Sequence, residues 1–204
     1  MPPSVYCEAC LGRHSAHEVV RADGPSAKTL CGISLSVLDE RVSRAISVFK
    51  EKNQFAVARA MVDALLPIEP TVPIDIVAAV PSAQSSFAKR GFVPAELIAK
   101  QVARLWKLAN HPGGLRFIRS VRDQSALRII ERQTNLFESM AASRSFSGKR
   151  VLLVDDIITT GSTLFEATRA IEVAGGSVVA FVTLAETPRR IEPSPHPAHS
   201  QVGP

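Results

Sequence analysis

Four apolar residues, Val151-Leu152-Leu153-Val154, run directly into two adjacent acids, Asp155 and Asp156. A short run of hydroxyls and glycine follows, Thr159-Thr160-Gly161-Ser162-Thr163. Beyond it Leu164, Ala167, Ile171 and Ala174 recur at helical spacing. No other stretch constrains the chain so tightly. A continuously apolar run of strand length is buried on both faces, the condition of a parallel strand in an α/β sheet. Gly175-Gly176 caps the helix, and residues 178–184 supply another apolar strand, completing a strand–helix–strand unit.

That order places the acids and hydroxyls where an open α/β sheet binds ligands, beyond the carboxyl ends of its strands. The opening turn of the helix carries unpaired N–H groups and about half a positive charge, which suits a phosphate. Gly161 lets the backbone approach an anion, and Thr159, Thr160, Ser162 and Thr163 add hydroxyl donors. Asp155 and Asp156 beside a phosphate seat make chemical sense as acceptors for sugar hydroxyls. A helix cap alone needs neither two acids nor a Thr-Thr pair. A phospho-receiver domain would carry its acid pair at its first strand, whereas here the pair stands in the last quarter of the chain. No G-x-x-x-x-G-K-[ST] run is present, so a P-loop nucleotide hydrolase is excluded.

The rest of the chain extends the alternation. Phe55, Ala58, Val62 and Leu65 fall at helical spacing, as do Ile98, Val102, Leu105 and Ala109, with Pro94 in the first turn and Pro112 past the end. Residues 75–80 between them read as a buried parallel strand, and Leu115-Arg116-Phe117-Ile118 as a further strand. With 46% apolar residues the chain can close a core, and it has no apolar run of membrane-spanning length. Nor does it open on a secretory signal, so a cytoplasmic protein without membrane insertion is expected. Between Arg119 and Arg150 seven cations meet three acids, which accounts for four of the chain's five net positive charges. That concentration points to an anionic partner.

The run VLLVDDIITTGSTL resembles the signature by which phosphoribosyltransferases bind phosphoribosyl pyrophosphate (PRPP). Val80-Pro81-Ser82 with Lys89-Arg90-Gly91-Phe92 resembles the pyrophosphate-loop segment of the ComF-type competence subfamily, and Gln124, Leu127, Arg132 and Asn135 resemble its mobile-loop pattern. Lys50 resembles a lysine that precedes the subfamily's first helix. The resemblance covers about residues 35–186 and implies a type I phosphoribosyltransferase-like parallel sheet flanked by helices. It implies that Asp155 and Asp156 hold the ribose hydroxyls and that residues 159–163 cradle the 5-phosphate. Lys50, Ser82, Lys89 and Arg90 would take the pyrophosphate, while Gln124 and Arg132 would act from a lid. The expected reaction displaces pyrophosphate from C1 of PRPP with magnesium held mainly by the substrate.

Residues 1–34 hold all three cysteines. ComF-type proteins begin with two C-x2-C pairs, but here Cys7, Cys10 and Cys31 are followed by Ser34 at the fourth place. Zinc requires four ligands in a closed site, so His14 or His17 would have to complete it. A second departure is Val93-Pro94, where the subfamily commonly has Asn after Arg-Gly-Phe. Residues 187–204 contain five prolines and no core pattern, which predicts a flexible tail. Nothing declares an acceptor. Three readings stand open: an active transferase, a PRPP-binding regulator without turnover, and a DNA-uptake accessory protein touching single-stranded DNA or the competence machinery. A homo-oligomer is compatible with each.

Overall fold

The computed structural model describes residues 18–23, 29–65, 68–119 and 136–187. Eight strands and five α-helices are placed among them. The strands are β1 (Glu18–Asp23), β2 (Thr29–Ser34), β3 (Ile76–Ala79), β4 (Ala109–Asn110), β5 (Leu115–Phe117), β6 (Met140–Ala142), β7 (Arg150–Ile158) and β8 (Ser177–Glu186). The helices are α1 (Glu40–Lys52), α2 (Phe55–Val62), α3 (Gln84–Arg90), α4 (Pro94–Leu105) and α5 (Ser162–Val173). Six strands form one sheet in the order β1-β2-β8-β7-β3-β4, in which only the β1–β2 edge pair is antiparallel. The expected parallel sheet flanked by helices is therefore present, with Cys31 on β2 within it.

Alternation along the central strands explains the two layers. Leu152 and Val154 on β7 face one side with Val77 on β3, where Ile46 and Phe49 of α1 and Ile98 and Val102 of α4 cover them. Val151 and Leu153 face the other side and meet Leu164, Ala167 and Ile171 of α5. All these side chains are buried, so the sheet is closed on both faces as its apolar runs require. At the amino ends of the strands, Arg150 forks onto Asp75 through Nε at 2.9 Å and Nη2 at 2.7 Å. The backbone N–H of Arg150 also donates to Asp75 at 2.8 Å, fixing the β3–β7 register. These bonds hold the Asp75 carboxyl well below the usual carboxylate range.

Several elements differ from the periodicity reading. α1 buries Ile46 and Phe49, with Val42 packed against the core beside them, a narrow apolar stripe among six charged positions. Its start is nonetheless set locally, by Asp39 accepting the Val42 N–H at 2.7 Å. α3 buries no residue and shows no stripe at all. Ala109, expected on the second helix, instead starts β4 opposite Ile76. Trp106 caps α4 and donates from Nε1 to the Ile68 carbonyl at 2.9 Å. Leu115–Phe117 pairs antiparallel with β6 in a separate two-stranded sheet and does not join the parallel one.

β2 joins the main sheet by parallel pairing with β8, with Gly32 opposite Phe181. A Cβ at Gly32 would meet the Phe181 ring and carbonyl oxygen at 2.4 Å. Gly32→Ala is thus expected to lower stability by about 2 kcal/mol, read as a lower denaturant midpoint at unchanged slope.

Candidate functional site

β7 does not stop at the acids. It continues to Ile158, carrying Asp155 opposite Thr183 of β8. The apolar run alone ends the strand at the carboxylates; the structure holds both within it, so their backbone is fixed by the ladder. Alternation then sends the two side chains to opposite faces. Asp156 points toward the α1 layer, where Lys50 in the last turn of α1 places Nζ 2.8 Å from its Oδ2. Both side chains of this pair are about four-fifths buried, at 19% and 20% exposure. Asp155 accepts the Asp156 backbone N–H through Oδ1 at 2.8 Å.

The two acids are electrostatically unequal. Asp156 has the Lys50 ammonium in contact, whereas Asp155 feels that cation only at longer range. Removal from solvent, and secondly the Asp156 carboxylate beside it, push the Asp155 carboxyl up to about 8. The direction of this shift favours the protonated form of Asp155 well above the pH at which a free aspartic acid ionises. Such an offset between neighbouring carboxyls lets one act as a charged acceptor and the other as a neutral group.

The hydroxyl segment closes on the same end of the sheet. Gly161 is the N-cap of α5 with φ 77°, the left-handed region that glycine enters without steric cost. It supplies no side chain, so the first turn of α5 is not capped in the ordinary way. Thr160 Oγ1 and Ser162 Oγ lie 2.8 Å apart, gathering hydroxyls around that turn. Thr163 is half-buried beside them and Thr159 is exposed. The helix behind is anchored by the buried Glu166, whose carboxylate accepts the Met140 N–H at 2.8 Å and pairs with Arg169 at 2.7 Å.

The segment after β3 is helical where a loop was expected: only residues 80–83 are irregular, and α3 begins at Gln84. Ser82 is half-buried in that turn. Lys89 and Arg90 lie in the last turn of α3 and both face Glu51 of α1, at 3.2 Å and 3.9 Å respectively. α1 therefore joins two parts of the site through consecutive residues, Lys50 reaching β7 and Glu51 reaching α3. Glu51 was not singled out from sequence. Its only signal there is its place beside Lys50 at a helix end.

Of the remaining expectations, Gln124 and Arg132 lie outside the described residues, as do Cys7, Cys10, His14 and His17. Cys31 is half-buried on β2 opposite Arg21. Among the described residues no group of three or more His, Cys, Asp or Glu is placed to hold a metal ion. The zinc expectation thus finds no support in the described chain. Among those residues, too, no helix is long and apolar enough to cross a membrane.

A central parallel strand that carries two adjacent acids and passes into a glycine-opened helix with hydroxyls in its first turn is an α/β arrangement with its polar groups gathered at the carboxyl end of the sheet. The sequence profile of the phosphoribosyl transferase domain matches residues 86–200, more than half of the chain, and the protein belongs to that family. It is similar to an orotate phosphoribosyltransferase of Rhodopseudomonas palustris (strain BisB18), 30% identical over 47% of this chain and 46% of that one. It is also 30% identical to Competence protein F of Haemophilus influenzae, over 67% of this chain and 64% of the relative. The chain thus spans between about half and two thirds of the length of these relatives. Among solved structures, adenine phosphoribosyltransferase of Thermoanaerobacter pseudethanolicus is 19% identical with a TM-score of 0.38, covering 69% of this chain and 73% of that one. The corresponding enzyme of Leishmania donovani is 14% identical with a TM-score of 0.39, covering 72% and 76%.

Proposed function

We propose that the protein binds PRPP at the carboxyl end of β7 and transfers its phosphoribosyl group to an acceptor with release of pyrophosphate. The observation that carries this reading is the joining of three features at one sheet end. These are the Asp155-Asp156 pair, the Gly161-opened α5 and the Lys50 contact that holds Asp156 at 2.8 Å. In this reading the acids accept the ribose hydroxyls. The first turn of α5, with Thr159, Thr160, Ser162 and Thr163, takes the 5-phosphate.

Lys89, Arg90 and the turn at Ser82 receive the pyrophosphate, while Lys50, expected with them, is engaged by Asp156. In the reaction the C1–oxygen bond breaks with its electron pair leaving on pyrophosphate, and a lone pair of the acceptor forms the new bond to C1. The protein's contribution is to orient the sugar, to meet the departing charge with fixed cations and to exclude water. Magnesium, held mainly by the substrate's own oxygens, would offset the negative charge that develops on the leaving group.

The likeness to Competence protein F and the agreement at Lys50, Ser82, Lys89 and Arg90 support a ComF-type assignment within the family. A link to DNA uptake rests on that relative's name. It predicts a salt-dependent affinity for single-stranded oligonucleotide.

Calorimetric titration of PRPP into the protein, with and without magnesium, tests the central reading. Saturable binding that magnesium strengthens is the expected result. A folded sample that binds no PRPP under either condition would overturn it. Pyrophosphate release in a screen of nucleobases and amines then separates an active transferase from a PRPP-binding regulator.

A further inference from the structure

The cations proposed for pyrophosphate are not idle. Glu51 sits between Lys89 and Arg90, with Oε2 3.2 Å from the lysine and Oε1 3.9 Å from the arginine. The two contacts are unequal to the capacity of the groups. Arg90 is only 16% exposed at its side chain, and its Nε is buried without a hydrogen-bond partner among the described residues. A guanidinium offers five donors in a planar fork, and burying one with such loose pairing is costly unless an anion completes it. Glu51 itself is 44% exposed, so its carboxylate can swing into solvent at little cost. Its neighbour Lys50 meanwhile stays on Asp156, so withdrawing Glu51 leaves the ribose side of the site undisturbed.

We propose that Glu51 is an internal counter-ion that occupies the pyrophosphate seat at rest and yields Lys89 and Arg90 to the incoming ligand. This rests on the PRPP reading above, and it makes Glu51 a determinant of affinity for the pyrophosphate end alone. Each pyrophosphate-bearing ligand must break the Glu51 contacts before it makes its own. Glu51 thus lowers affinity for pyrophosphate and eases its departure as product. A carboxylate that merely oriented the two cations would act with the opposite sign, because its loss would disorder the seat and weaken binding.

Inorganic pyrophosphate and ribose 5-phosphate, titrated separately into wild type and Glu51→Gln at low ionic strength, decide between the signs. The amide keeps the shape and removes the charge. Pyrophosphate affinity is expected to rise by roughly fivefold, the size of one half-exposed charge contact, while ribose 5-phosphate affinity stays unchanged. The gain should shrink in a Lys89→Gln background, where the freed cation is missing. Unchanged or weaker pyrophosphate binding by Glu51→Gln would overturn the proposal. If neither wild type nor variant binds pyrophosphate, the proposal falls with its premise. Ribose 5-phosphate binding in the same samples then shows whether the phosphate-loop reading falls as well.

Discussion

Replacing Asp156 by Asn is expected to weaken magnesium-PRPP binding by roughly ten- to a hundredfold, the cost of exchanging a charge-assisted acceptor for a neutral one. The structure sharpens the expectation. Asp156 is held by the β7 ladder on one side and by Lys50 on the other. The carboxylate is therefore oriented before ligand arrives, and little reorganisation offsets its loss. The amide also leaves Lys50, whose side chain is four-fifths buried, without its counter-charge, so some stability is lost with it. Lys50→Met in the same assay isolates that part. It removes the cation and leaves the acceptor, so it should cost less PRPP affinity than Asp156→Asn. Titration calorimetry at one pH, with melting curves run alongside, reads both variants. Wild-type PRPP affinity in folded Asp156→Asn would refute the ribose assignment.

The legibility of this site follows from where its physics is local. The β7–α5–β8 unit is plain in the sequence because burial on both faces demands an unbroken apolar strand. The phosphate turn is plain because its glycine and hydroxyls are contiguous. α1 is hidden for the converse reason. It offers the core only a narrow stripe, Val42, Ile46 and Phe49, among six charged positions. α3 is hidden more completely, since it buries nothing and its residues read equally well as a polar turn. Yet these two helices supply Lys50, Glu51, Lys89 and Arg90. The pairings Lys50–Asp156 and Glu51–Lys89 span 106 and 38 residues of chain and depend on how α1 packs. A linear pattern contains no trace of such a contact. Ala109 errs in the other direction: the apolar period continues through it, but hydrogen bonding at the β3 edge takes the backbone for β4.

Asp155→Asn should make the protein more stable than wild type at alkaline pH and not at acid pH. The folded state raises the Asp155 carboxyl to about 8, against an ordinary value of 3.8, through desolvation first and the Asp156 charge second. The folded protein thus retains a proton that the unfolded chain has released across that interval. Stability from this group is fully present below about pH 4 and is lost as pH rises through about 8. The substituted amide has no proton to lose, and its carbonyl oxygen can still accept the Asp156 N–H that Oδ1 accepts now. The variant's advantage should therefore be near zero at pH 4, grow with pH and level off above about pH 8 at no more than about 6 kcal/mol, from ~1.4 kcal/mol for each unit between 3.8 and about 8. Melting curves of both proteins from pH 4 to 9 test this directly. An advantage that does not change with pH would mean that Asp155 is ionised in the folded state throughout. The same proton bears on function, because a ligand that needs two carboxylate acceptors must expel it. PRPP binding then strengthens from pH 6 to 8, and the proton appears as a dependence of binding heat on buffer ionisation enthalpy. The asymmetry that stabilises two adjacent acids in the absence of ligand is thus the term that PRPP must overcome to use both.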